Sequence, residues 1–453
     1  MLAMGLALAA FVRIAVLRWE TFVTNAFDLA FFDQIIFNTS RGRLFDNSFV
    51  PYNFAGQHLE PILLAYVPAY WLGAGPLFLT VSQAVVAAFA AVPLYFFARR
   101  LTGQAVIAAA AVVAYLANPY LLRAITFDFH PEVMVSFPVF LAAWAVVERH
   151  HRTAVAASLA TLLFKEDAAF LAVFLGGFMW MRGMRSEARL TAGVAVTYAL
   201  LAVFVVMPLV RGGEGSDLVD RYGYLLPGHD GNGSGLVGGL FLLPWRAAEV
   251  ILHPDQMVTA VLFLGTSAAI GVVRPVGLAW LAPGLALALL SQHPPQRQLE
   301  LHYAAEMVPI ALVITVLAVE RIRTRIPAQW LALAVAGPPV AAMVVLSPFG
   351  SSLGKAPSAE HRAAVLAGVA LVPSDEGVSV SAQSGLLPRL SQRKEAYEFP
   401  GHAESADWVV VDQYGFRSSQ SLAAGYDAML EEVRSTAELV YSANGVEVFR
   451  RTK

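Results

Sequence analysis

The sequence predicts an α-helical polytopic membrane protein of about eleven transmembrane helices, followed by a small C-terminal α/β domain. Composition is the first sign. Hydrophobic residues make up 57% and charged residues 14%, whereas soluble domains carry roughly a quarter charged residues. Mean hydropathy is +0.59. Apolar stretches close to the 20 or so residues that cross a bilayer also recur along most of the chain. The character then changes after residue 350, where short strand-like runs replace them.

Taken in order, the expected spans are 2–18, 76–98, 105–122, 132–147, 153–164, 168–181, 190–209, 256–273, 275–292, 304–319 and 328–347. The first has neither a basic leader nor a small-residue cleavage site, so it reads as an anchor. The stretch 59–73 is short and holds Pro61 and Pro68, which suits a re-entrant or interfacial helix. In the first long loop, 19–75, Phe27, Phe31, Phe32, Ile35 and Ile36 recur at helical spacing. That pattern predicts an amphipathic helix in the membrane interface. The loop 210–255 carries "RGGEGSD" and "PGHDGNGSG", glycine-rich runs expected of a flexible loop or substrate lid.

Arginine sets the orientation. Arg99, Arg100, Arg149, Arg152, Arg182, Arg185, Arg189, Arg274, Arg321, Arg323 and Arg325 fall in alternate loops, which are therefore expected to be cytoplasmic. The amino terminus is then inside. The other loops and the tail lie outside, so 1–347 is a transmembrane domain and 348–453 an extracytoplasmic domain. Arg13 and Arg18, near the outer end of the first helix, are the exceptions to the pattern. In the tail, "EGVSVSA" and "ADWVVVD" read as buried strands and "SLAAGYDAMLEEVRS" as an amphipathic helix. "AELVYSANGVEVFRR" reads as a hairpin whose Asn444-Gly445 suits a type I′ turn.

Net charge is −2, which suggests no nucleic-acid partner, and the absence of cysteine excludes disulfides and thiolate chemistry. The informative residues are the polar ones that interrupt apolar sequence. "TLLFKEDAAFLAV" places Lys165, Glu166 and Asp167 side by side, and Lys165 is the only lysine before Lys355. Ionisable groups at membrane depth normally face a cavity and a partner. On the same expected side lie Asp28 and Asp33, His58 and Glu60 in "GQHLEP", and Asp128, His130 and Glu132 in "FDFHPE". His302, Tyr303 and Glu306 in "ELHYAAE" join them. One polar chamber is the economical reading. Each member also has a plainer role. Asp28 could cap the loop helix, Lys165 could pair with Glu166 or Asp167 to clamp a helix junction, and the histidines could anchor an interface. Asp28 and Asp33, five residues apart, would lie about 140° apart on a continuous helix and so not share a face.

"NAFDLAFFDQ", "GQHLEPIL", "DFHPE", "LFKEDAAF", "LHYAAEMVP" and the tail segment from "VSVSAQSGLLPRLSQRKEAYEFP" to "ADWVVVD" together resemble a polytopic family. It is known only as predicted membrane protein, domain of unknown function 2079. The resemblance covers nearly the whole chain. The family is similar in layout to the GT-C class of membrane glycosyltransferases, which take sugars from polyprenyl-phosphate carriers. The resemblance implies a first-loop catalytic acid, most naturally Asp28 with Asp33 second. It also implies a lipid-linked sugar donor as partner, alongside membrane lipids. A divalent cation, magnesium or manganese, helping the donor phosphate is compatible with it.

Lys165, His58, His130 and His302 are the expected groups for a leaving phosphate, while Arg41, Arg43, Arg123 and Arg297 are scattered. With Glu60, Glu132, Glu166, Asp167 and Tyr303 they make up the expected substrate-binding set. The leading reading is a glycosyltransferase working at the outer face of the membrane. A transporter or lipid flippase is the alternative, but it would call for midplane sites reached from both sides. A metal-dependent membrane hydrolase using His58, Glu60, His130, Glu132 and His302 is a third, although their spacing is not that of zinc proteases.

Overall fold

In a computed structural model, residues 2–215, 217–225, 244–273, 275–346, 356–418, 421–422 and 425–451 are described. The run "PGHDGNGSG" and Arg274 lie outside them. The described chain is mostly helical and ends in a five-stranded sheet.

Each of the eleven apolar stretches contains helix, but several are broken or shorter than a span requires. Among the described residues four are long and apolar enough to cross a membrane: α1 (Leu2–Glu20), a helix over Pro76–Thr102, one over Arg185–Arg211 and one over Ala328–Val345. Two bent pairs, Ala105–Leu116 with Pro119–Ile125 and Trp245–Ile251 with Pro254–Ser267, raise the number to six if each pair is one span. The expected eleven is therefore not reached on length. Ala169–Met181, at 13 residues, rises only about 20 Å against a hydrocarbon core of about 30 Å.

Burial sorts these helices. Along Met307–Ile322 every side chain from Met307 to Val319 is buried, as expected of a helix apolar on all sides. The helix over Arg185–Arg211 instead exposes Leu190, Val194, Leu200 and Phe204, a lipid-facing surface. Among the described residues, the arginine-bearing loops near 100, 150, 185 and 320 meet at one end of the bundle. Arg100 pairs with Glu148 at 2.9 Å, His151 with Glu187 at 2.7 Å and Arg182 with Glu320 at 3.0 Å.

The first loop differs from expectation. Its helix α2 (Phe31–Ser40) buries both of its faces, from Phe31 through Asn38, so it is a core element and not an interfacial one. The reason is the tail. The sheet strands β1 (Val380–Ala382), β2 (Ala396–Glu398), β3 (Trp408–Asp412), β4 (Glu438–Ala443) and β5 (Val446–Arg450) run in the order β2-β1-β3-β5-β4. β1 is parallel to β2 and β3, whereas β5 is antiparallel to β3 and β4. Alternation along β3 sends Val409 and Val411 to one face, against the helix Tyr426–Thr436, and Val410 to the other. On that second face Val380, Val410 and Val448 share one cluster with Phe22, Ala26 and Ala30 of the first loop. The β4–β5 turn has Asn444 at φ 48° and Gly445 at φ 80°, the positive pair that a type I′ turn requires.

Candidate active site

The first loop enters the site through a single wide turn, Ala26–Ala30, in which Ala30 N–H reaches back five residues to the Asn25 carbonyl. Such turns interrupt regular helix and recur at functional sites. This one is held from outside. The Asn25 N–H donates to Asp128 Oδ2 at 2.7 Å, and Arg18 donates to Asp128 Oδ1 at 3.3 Å and to the Val23 carbonyl at 3.0 Å. The turn aims Asp28 into a cavity. Asp28 caps nothing: α2 has Ala30 at its N-cap and no side-chain cap.

Gln83 sets the opposite wall. Its amide donates to the Asp128 carbonyl and accepts the His130 N–H at 2.6 Å, which fixes the extended "DFHPE" segment. His130 Nε2 then lies 3.4 Å from Asp28 Oδ1. The His302 ring stacks on His130, with centroids 3.6 Å apart and planes within 16°. His302 Nε2 is 3.8 Å from Glu132 Oε1, and the same oxygen accepts from Lys165 Nζ at 3.4 Å. A continuous line of polar groups thus runs from Asp28 to Lys165.

Two stacked imidazoles cannot both carry charge cheaply. Burial works against a charged His130, but the neighbouring Asp28 carboxylate outweighs it and raises this histidine. Burial and the His130 charge together hold His302 well below its ordinary value. The surroundings thus favour a proton on His130 over one on His302.

Lys165, Glu166 and Asp167 occupy the break between the turn Thr161–Leu163 and the helix Ala169–Met181. Lys165 does not form the local clamp. It bonds Glu132, while Glu166 turns to His58 Nδ1 at 3.0 Å and to the Leu59 N–H at 3.0 Å. Burial opposes the Glu166 charge, yet His58 and those bonds hold the carboxyl down at about 2. The surroundings are polar but incompletely paired. Among the described residues, Glu60 Oε2, Glu132 Oε2, Asp167 Oδ1, His130 Nδ1 and His302 Nδ1 are buried with no hydrogen-bond partner, a pattern that suits a site built to take a polar ligand.

Two joined cavities collect these groups. A larger one, about 820 Å³, is lined by Asp28, His58, Glu60, His130, Glu132, Lys165, His302 and Tyr303. A second, about 400 Å³, shares His58, Glu132, Lys165, His302 and Tyr303, adds Glu166, Asp167 and Glu306, and continues along Ala199, Val203, Met207 and Leu287. It is polar at the shared end and apolar beyond. Asp33 stands apart and lines neither. It is buried, accepting from Tyr70 at 2.6 Å, Ser391 at 2.7 Å and Gln392 at 3.3 Å. Among the described residues no three His, Asp or Glu side chains are arranged to hold a metal ion.

From residue 18 to residue 448 the sequence matches the family described as predicted membrane protein DUF2079. The chain belongs to that family. No curated protein matches its sequence significantly. Among solved structures, the arabinofuranosyltransferase AftD from Mycobacteria is similar over 99% of this chain and 40% of its own, at 13% identity and a TM-score of 0.50. ArnT from Cupriavidus metallidurans, solved bound to undecaprenyl phosphate, covers 97% of each chain at 13% identity and a TM-score of 0.49. The likeness to AftD shows a shared fold.

The DUF2079 chain also brings residues to the cavities that its sequence did not single out. Arg221 lines both, bonded to Gln296 at 2.7 Å and lying over the Tyr303 ring at 5.8 Å. Arg211 lines the second. Their signal was present, as two arginines in the loop read as a lid. Ser384, Glu398 and Ser418 of the tail line the larger cavity. Nothing in "EAYEFP" distinguishes Glu398 from the other carboxylates of a soluble domain.

Proposed function

We propose that this protein is a membrane glycosyltransferase that moves a sugar from a polyprenyl-phosphate donor to an acceptor hydroxyl at the extracytoplasmic face. The observation that carries the reading is the pair of joined cavities, with a carboxylate at one end, cations at the junction and an apolar branch beyond. A lipid-phosphate sugar has that same order of chemistry. Its chain suits the apolar branch, its phosphate the junction of Lys165, Arg221 and His302, and its sugar the larger polar chamber. Arginine-rich loops gathered at one end of the bundle support a cytoplasmic location for that end. Residues 348–453 are then an extracytoplasmic unit.

In this mechanism the acceptor oxygen attacks the anomeric carbon and its proton passes to the Asp28 carboxylate. The bond from that carbon to the phosphate oxygen breaks, and the phosphate leaves with the electron pair. Lys165 and Arg221 stabilise the charge that develops on it. His130 holds Asp28 in place by the contact at 3.4 Å. Glu60, Glu132, Glu166, Asp167 and His58 set the charge of the junction, and Tyr303 supports Arg221. Asp33 is structural, tying α2 to the tail.

The test uses full-length protein in liposomes with membrane lipid extract and a panel of polyprenyl-phosphate sugars. Release of polyprenyl phosphate is measured. Wild type is expected to turn over at least one donor, and Asp28→Asn to lose about a hundredfold or more with its melting temperature unchanged. Turnover by Asp28→Asn at the wild-type rate would remove Asp28 from the chemistry.

A further inference from the structure

The mechanism above leaves the tail's wall of the larger cavity without a role. That wall is built, not incidental. Ser384 Oγ accepts the Ala26 N–H at 3.1 Å, inside the wide turn that presents Asp28. Ser418 Oγ donates to Glu398 Oε1 at 2.6 Å. Burial raises the Glu398 carboxyl above its ordinary value, the Ser418 and Ser384 hydroxyls lower it, and Asp28 raises it again. The groups that act on Glu398 include two hydroxyl donors and a second carboxylate.

Chemistry differs between the two ends of the site. At the junction Lys165 and Arg221 can meet a phosphate, with Glu132, Glu166 and Asp167 also acting on Lys165, whereas the tail's end offers Ser384, Glu398 and Ser418. A hydroxyl group suits the opposite end, because it can donate to a carboxylate that still has acceptor capacity. The same end also offers flat apolar surface. Phe27 and Phe416 both line this cavity, and each is 39% exposed. Large exposed rings beside a few convergent polar groups are what a ligand with one apolar face and several hydroxyls requires.

We propose that Ser384, Glu398, Phe416 and Ser418 form an acceptor subsite, which holds a sugar ring by its hydroxyls and one face and turns a hydroxyl toward Asp28. The acceptor is accordingly a glycan or glycolipid rather than a protein side chain. The proposal rests on the glycosyltransferase reading for the direction of transfer, but the binding of a sugar ring can be tested without turnover.

Full-length protein in liposomes, free of sugar-based detergent, is titrated with a panel of methyl glycosides. Binding is followed by saturation-transfer NMR. At least one methyl glycoside is expected to bind wild type, and Glu398→Gln and Phe416→Ala each to weaken it about tenfold or more. Ser418→Ala, which removes only the hydroxyl that orients Glu398, is expected to have a smaller effect in the same direction. It also serves if Glu398→Gln does not fold. Wild type that binds no methyl glycoside, or variants that bind as wild type does, would overturn the subsite. Binding that follows this pattern without release of polyprenyl phosphate from any donor would sink the transferase reading and leave the sugar subsite standing.

Discussion

Lys165 shows how much one residue depends on partners distant in sequence. Burial lowers its tendency to hold a proton, but Asp167, Glu132 and Glu166 reverse this and keep it charged. Lys165→Met would leave those carboxylates facing one another. The expected loss is about 3–5 kcal/mol, as for a broken buried pair. It should be read by thermal unfolding in lipid nanodiscs, with partial recovery in Lys165→Met combined with Glu132→Gln. Asp33 gives a pH prediction. Burial pushes its carboxyl from 3.8 up to about 6, against the hydrogen bonds from Tyr70, Ser391 and Gln392. A folded value above the unfolded one means that the folded state holds the proton more tightly between about pH 4 and pH 6. That stabilisation is full at low pH and is lost as pH rises through 6. Wild type minus Asp33→Asn should therefore lose on the order of 3 kcal/mol of stability from pH 4 to pH 7. A pH-independent difference would contradict it. The sequence marked both residues as polar intrusions, but separating them took three dimensions. At position 28 the backbone makes a wide turn toward the cavity, and by position 33 it is helix turned toward the tail.

Among the elements, α2 was misread for a physical reason. Helical spacing of Phe31, Phe32, Ile35 and Ile36 says that one face is buried but cannot say in what. Here protein covers it, and Gln34 on the other side is buried as well, donating to the Arg393 and Lys394 carbonyls at 3.1 Å and 3.2 Å. Gln34→Leu would strand those carbonyls at a cost of about 1–3 kcal/mol. The expected readout is faster protease cleavage near residue 390. The hairpin was legible because its signal is local. Gly445 at φ 80° has Tyr414 where a Cβ would sit, 2.6 Å away. Gly445→Ala should cost about 1–2 kcal/mol and shorten the tail's lifetime under limited proteolysis. The number of spans is not legible in hydropathy alone, which does not report breaks such as those at Lys165 and at Asn118-Pro119.

For the whole molecule, the alternation of arginine loops with polar loops was readable from composition, and in the fold those arginine loops do meet at one end. Protease added to cells stripped of their wall is expected to cut the tail beyond residue 355 and spare the loop at Arg149 and Arg152. The reverse pattern would invert the proposed orientation. What sequence could not reveal is that the site is closed by both ends of the chain. Ser391 reaches Asp33 across 358 residues, and Ser384 reaches Ala26 across the same separation. Contacts that distant form late, since the intervening chain must first be ordered. On the ribosome they cannot form until Ser384 and Ser391 have emerged. Until then the wide turn carrying Asp28 has its Asp128 and Arg18 supports but not the tail's. A chain cut short before Ser384 lacks the wall that Ser384, Glu398 and Ser418 give the larger cavity, so the finished chamber depends on the tail.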